Sequence, residues 1–139
     1  MLKVLIIDDE PIVREGLKTI IEWENYGFHV CGEAVNGKDG WIKINEYRPD
    51  LIIVDMKMPV MDGITATKEI LARCPETKII VLTSYMDDEM VYPALDAGAI
   101  SYLLKTARAQ EIADAVRAAM RGEAVVDAKV LGKLVQRNR

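Results

Sequence analysis

Short, uniformly apolar runs alternate with longer segments of helical period along this chain, and that alternation restricts the fold more than any single residue does. The spacing predicts strands over residues 3–7, 28–34, 51–55, 78–83 and 101–104. The first helix starts after Pro11 and carries Ile12, Val13, Gly16, Leu17, Ile20 and Ile21 on one face. A second covers 37–47 and is closed by Arg48 and Pro49, because proline cannot continue the hydrogen-bond ladder. Three more follow. One bears Ile64, Thr67, Ile70 and Leu71; one, over 87–97, turns Met90, Val91, Ala94 and Leu95 inward and is stopped by Gly98; one, over 109–121, presents Ile112, Ala113, Val116 and Met120. A further amphipathic piece with Val130, Leu131, Leu134 and Val135 lies beyond Gly122.

Strands that are apolar at successive positions are buried on both faces, which marks a parallel sheet covered by helices on each side. The expected class is therefore α/β, a doubly wound five-stranded parallel sheet with five flanking helices. The 139 residues suffice for one core, assigned to 1–122, with 123–139 a linker or extra helix. Right-handed crossovers carry the C-terminal end of every strand to one edge, where ligands of such folds gather.

Composition removes several functions. No apolar stretch approaches the roughly 20 residues of a membrane span and no leader precedes Lys3, so the expected location is cytoplasmic, with no membrane partner. The net charge of −4 argues against gripping nucleic acid through this segment; Lys129, Lys133, Arg137 and Arg139 form a basic tail only. Cys31 and Cys74 lack metal or redox spacing and read as small buried hydrophobes. His29 reads as a surface residue. The run from Gly32 to Lys38 has the spacing of a phosphate loop, but Asp39 replaces the metal-binding hydroxyl and Gly32 sits inside a strand.

The polar residues at the strand ends carry the chemistry. Asp8 and Asp9 end the first strand, Asp55 the third, Thr83 and Ser84 the fourth, and Lys105 the fifth. Two carboxylates about 4 Å apart repel by roughly 4 kcal/mol at an effective dielectric of 20, so three together call for a cation. Oxygen-only ligands open to water suit Mg2+, and the lack of histidine or thiolate argues against zinc. A metal beside a carboxylate, with a lysine and a hydroxyl opposite, meets the needs of phosphoryl transfer. Asp55 is then the nucleophile, Asp8 and Asp9 hold the metal, and Lys105 and Thr83 meet phosphoryl oxygens.

Leu5 to Glu10, Asp55 with Met58 to Gly63, Leu82-Thr83-Ser84 and Tyr102 to Lys105 together resemble the receiver domain of bacterial two-component response regulators, over residues 1 to about 122. The resemblance implies the flavodoxin/CheY-like strand order 2-1-3-4-5. It also implies Mg2+-dependent phosphoryl transfer from the phosphohistidine of a sensor histidine kinase to Asp55, with the Lys57 backbone carbonyl completing the metal shell. Enzymatic activity is limited to the domain's own phosphorylation and slow autodephosphorylation, tuned at Lys57 and Tyr85. The switch residues are Thr83, Ser84 and Tyr102: Thr83 moves to the phosphoryl group and Tyr102 swings inward, reshaping the face of the fourth helix, fifth strand and fifth helix. Without the resemblance, Tyr102 reads as a half-buried strand aromatic with its hydroxyl in water.

The output implied is homodimerisation on phosphorylation and control of DNA through a C-terminal domain beyond this chain. A stand-alone regulator or phosphate sink is the alternative. A phosphatase of the haloacid-dehalogenase type fits poorly, because Lys57 stands where its second aspartate belongs. Thr106 replaces the proline that many family members carry after the lysine, which leaves that loop without a cis-proline pin. The first half, through Trp23 to Phe28 and Asp55 to Pro59, looks like receivers of AraC-type regulators. The second, through Val91 to Gly98 and Ile112 to Val116, is similar to NarL/LuxR-type regulators of cell-envelope stress, so the chain reads as a natural mosaic or an engineered chimera.

Overall fold

A computed structural model describes residues 1–137; Arg139 of the basic tail lies outside the described residues. The elements run β1 (Leu2–Ile7), α1 (Pro11–Ile20), a 3-10 turn (Trp23–Tyr26), β2 (Phe28–Ala34), α2 (Gly37–Tyr47), β3 (Leu51–Val54) and α3 (Gly63–Arg73). They continue with β4 (Lys78–Thr83), α4 (Asp88–Asp96), β5 (Ser101–Leu104), α5 (Ala109–Met120) and α6 (Ala128–Arg137). All five strands are parallel, in the order β2-β1-β3-β4-β5, as expected.

The apolar runs are continuous because neighbouring residues serve opposite faces. Leu5, Ile7, Ile52, Val54, Ile79 and Val81 pack toward α2, α3 and α4. Val4, Ile6, Leu51, Ile53, Ile80 and Leu82 pack toward α1 and α5 through Leu17, Ile112, Ala113 and Val116. Complete burial of one such side chain contributes about 1.5–3 kcal/mol, so this double layer dominates the favourable side of folding. Local chemistry sets the helix starts: the Asn36 side chain accepts the Asp39 N–H, and Asp62 accepts that of Thr65.

The apolar face of α1 is only partly covered: Ile12 and Ile20 are 80% and 67% exposed, while Leu17 and Ile21 are buried. The apolar arc of this helix spans about half its circumference, but the sheet covers only the side bearing Leu17 and Ile21. Ile20 instead lines an open groove with Val13, Leu82, Ala109 and Ile112. Beside the five flanking helices expected, a sixth α-helix lies among the described residues.

The sixth helix comes from the amphipathic piece after Gly122, where the chain turns with φ +78°. Residues 125–127 first lie along β5, the Tyr102 N–H donating to the Val125 carbonyl at 3.1 Å and the Asp127 N–H to the Tyr102 carbonyl at 2.9 Å. They cover a strand edge that would otherwise expose unpaired backbone groups. Val130 of α6 is then fully buried, in one cluster with Val91, Ala94 and Tyr102. The Lys133 ammonium donates to the Met86 carbonyl at 2.8 Å.

Gly63 joins fold to strand ends. Its N–H donates to the Met56 carbonyl at 2.8 Å, and a Cβ at this position would collide with the Asp55 carbonyl oxygen. Gly63→Ala is expected to lower unfolding free energy by about 1–3 kcal/mol, the usual cost of overpacking, measured by urea denaturation. A variant as stable as the parent would contradict the close approach.

Candidate functional site

Parallel register brings the strand ends together: Ile7 pairs with Val54, Val54 with Val81, and Thr83 with Leu104. The residues that follow β1, β3 and β5 are Asp8, Asp55 and Lys105, and Thr83 closes β4. Asp8 and Asp55 are each 3% exposed. The Lys105 ammonium lies 2.8 Å from Asp55 Oδ2, 3.0 Å from Asp8 Oδ2 and 2.8 Å from Glu10 Oε1. The remaining Asp55 oxygen accepts the Met56 N–H at 2.7 Å, and Asp8 Oδ1 accepts the Glu10 N–H at 2.8 Å.

Burial pushes the Asp8 carboxyl above its ordinary value, against the Glu10 N–H and Lys105, which pull it down. Burial also lowers the Lys105 pKa, but hydrogen bonds to Asp55, Glu10 and Asp8 outweigh it, and the net shift is upward. The ammonium therefore stays charged. Carboxylate oxygens of Asp8, Asp9, Glu10 and Asp55 all lie within 4.8 Å of one another. Three carboxylates on one ammonium, with the Asp9 carboxylate beside them, leave excess negative charge on an all-oxygen donor set, which fits a hard divalent cation.

Each residue singled out in the sequence has a definite place. Asp9 is exposed beside the buried pair. Thr83 is fully buried, and its hydroxyl accepts the Tyr85 N–H at 3.4 Å. Ser84 is exposed at the start of the loop after β4. The Lys57 ammonium stands 4.1 Å from the centroid of the Tyr85 ring, so the two residues assigned to rate tuning touch each other. Tyr102 overturns the half-buried reading: it is 0% exposed, with its hydroxyl donating to the Tyr85 carbonyl at 2.6 Å. The ring is already inside, because that carbonyl supplies the partner a buried phenol requires. Burial raises its pKa, helped by the charges of Asp87 and Asp55.

Two participants were missed in the sequence. Glu10 ends the Leu5 to Glu10 motif without a role of its own, although a third consecutive acid after Asp8 and Asp9 is a usable signal. Arg14 carried no local signal. Its guanidinium donates to the Asp8 carbonyl at 2.7 Å and to Glu33 at 3.0 Å, tying α1 and β2 to the acidic turn. His29 is exposed and Cys31 and Cys74 are half-buried, Cys31 donating to the Val4 carbonyl at 3.4 Å. Gly32 lies within β2, where a Cβ would meet the Tyr47 ring, and does not form a phosphate loop. Among the described residues no helix is long and apolar enough to cross a membrane.

A two-faced α/β sheet with acids and a lysine on its switch-point edge defines a receiver, and the comparisons agree. Residues 4–117 match the family described as response regulator receiver domain, and the chain belongs to that family. It is 50% identical to the transcriptional regulatory protein LiaR of Bacillus subtilis over 139 residues, all of this chain and 65% of LiaR. It is 45% identical to the response regulator protein VraR of Staphylococcus aureus over 99% of this chain and 65% of VraR. The chain thus spans a little under two thirds of the length of these curated relatives. A crystal structure of a LuxR-family two-component response regulator from Aurantimonas superposes with a TM-score of 0.90 at 26% identity, covering 98% of this chain and 96% of that one.

The raised pKa of Asp8 fixes the sign of a stability test. Its contribution favours the fold below the ordinary carboxyl value and is lost as pH rises through the folded value, so ionised Asp8 costs stability at neutral pH. In metal-free buffer, Asp8→Asn is expected to raise the melting temperature at about pH 7, with the gain shrinking toward about pH 4. A lower melting temperature at neutral pH would contradict this balance.

Proposed function

We propose that Asp55 takes up a phosphoryl group from the phosphohistidine of a sensor histidine kinase and loses it slowly to water. The observation that carries this reading is the buried Asp55 carboxylate held 2.8 Å from the Lys105 ammonium, next to Asp8. An oxygen of Asp55 forms the new bond to phosphorus as the bond to the donor imidazole breaks, its electron pair remaining on the ring. Lys105 meets the charge on one phosphoryl oxygen, and the Thr83 hydroxyl donates to another. Asp8, Asp9, Asp55 and the backbone carbonyl of Lys57 would hold Mg2+, which would neutralise charge between carboxylate and phosphoryl oxygens. Catalysis is confined to this self-phosphorylation and to hydrolysis of the phosphoaspartate, in which water takes the phosphoryl group and the Asp55 carboxylate is released. The Lys57–Tyr85 contact stands two residues beyond each of Asp55 and Thr83 and restricts water at the phosphoryl group.

The switch runs through the loop after β4. When Thr83 turns to the phosphoryl group, the Tyr85 N–H loses its acceptor, and the loop that Tyr102 and Lys133 hold by successive carbonyls resets. The phosphoryl group adds about 1.5–2 negative charges and shifts the population between two packings of this face. Residues 1–122 form the receiver, and 123–139 lead toward an output segment. The relatives' greater length and the name of LiaR, a transcriptional regulatory protein, support DNA control through such a segment, and a homodimer is the phosphorylated form in this reading. A cytoplasmic location goes with this reading.

Incubation with acetyl phosphate and Mg2+, read by intact mass, is expected to add one phosphoryl group to the parent chain and none to Asp55→Asn. Equal labelling of that variant, or labelling without divalent metal, would overturn the assignment. Light scattering with and without beryllofluoride is expected to show a monomer becoming a dimer. An unchanged monomer in both states would remove dimerisation from the proposal.

A further inference from the structure

Glu10 has no role in the reading above, yet it shares the Lys105 ammonium with the two buried carboxylates. Its side chain is 54% exposed, against 4% for Asp8 and for Asp55. Its backbone is fixed at both ends of the turn: the N–H donates to Asp8 Oδ1, and the carbonyl accepts the N–H groups of Val13 and Arg14. The carboxylate therefore reaches Lys105 from the solvent side, on a rigid base, while Asp8 and Asp55 reach it from within.

A divalent cation needs the same oxygens that Lys105 now occupies. It would be ligated at about 2.0–2.1 Å, and an ammonium bonded to the same Asp8 and Asp55 carboxylates would be repelled by it. The lysine cannot simply leave, since its charge is needed at the phosphoryl group. We propose that Glu10 is a positioning residue that retains the Lys105 ammonium when the cation takes Asp8 and Asp55. Metal entry and lysine displacement are then one exchange with Glu10 as the receiving side. The inference rests on the reading of Asp55 as centre of a metal-dependent site and adds a residue to it.

The rival roles for Glu10 are a direct metal ligand and a plain negative charge nearby. Either acts on the metal without Lys105, whereas retention acts only through Lys105. A double-mutant cycle separates them. Mg2+ affinity of the full chain is measured by calorimetric titration for the parent, Glu10→Gln, Lys105→Met and the double variant, with urea denaturation to establish that each is folded.

Glu10→Gln is expected to weaken Mg2+ binding by at least about threefold in the parent, the smaller end of coupling between contacting residues, and to leave affinity unchanged in the Lys105→Met background. Glu10→Asp keeps the charge but shortens the reach, and is expected to behave like Glu10→Gln. Equal weakening in both backgrounds, no weakening in the parent, or a Glu10→Asp variant that binds like the parent would each overturn the role of Glu10. If the parent chain binds no Mg2+, the metal-dependent reading itself falls, an outcome distinct from the other three.

Discussion

The ammonium of Lys105, set between Asp8 and Asp55, is the interaction on which this structure turns. Two carboxylates withdrawn from water at the same strand edge repel each other, and their burial there calls for a counterion. Lys105 supplies it through bonds of 3.0 and 2.8 Å. Because the three residues follow β1, β3 and β5, the arrangement exists only while all the intervening strands are in register. One residue of slip would turn these side chains to another face. The site is thus a consequence of the sheet, and also a load on it, as the upward shift of Asp8 records.

The same edge is connected to the far side of the molecule by a short loop. Thr83 accepts the N–H of Tyr85, Tyr102 holds the carbonyl of Tyr85, and Lys133 holds the carbonyl of Met86. Consecutive backbone groups are therefore gripped by β4, β5 and α6. α6 is part of this grip, since Val130 is buried against α4 and residues 125–127 cover the edge of β5.

Much of this was legible in the residues alone. β2, β4 and β5 have the predicted bounds, because a run apolar at successive positions and flanked by turn residues has few alternatives. Strand ends could be read as one site because handedness leaves a single edge for them. The exposure of Ile12 and Ile20 could not be read, since periodicity describes an apolar arc but does not say how much of it a neighbour covers. Glu10 was passed over, and Arg14 could not be recognised, because its partners at Asp8 and Glu33 are distant in sequence or are backbone atoms.

The sequence by itself determined the class of fold and the identity of Asp8, Asp9, Asp55, Thr83 and Lys105 as strand-end groups, because local apolar pattern and chain handedness are short-range properties. Tertiary structure alone decided that Lys105 is shared by three carboxylates, that Tyr102 lies wholly inside with its hydroxyl on the Tyr85 carbonyl, and that α6 folds back onto α4. These depend on which atoms packing brings within 3 Å or so of each other. Residues 95 apart, such as Glu10 and Lys105, carry no mark of that meeting in their own neighbourhoods.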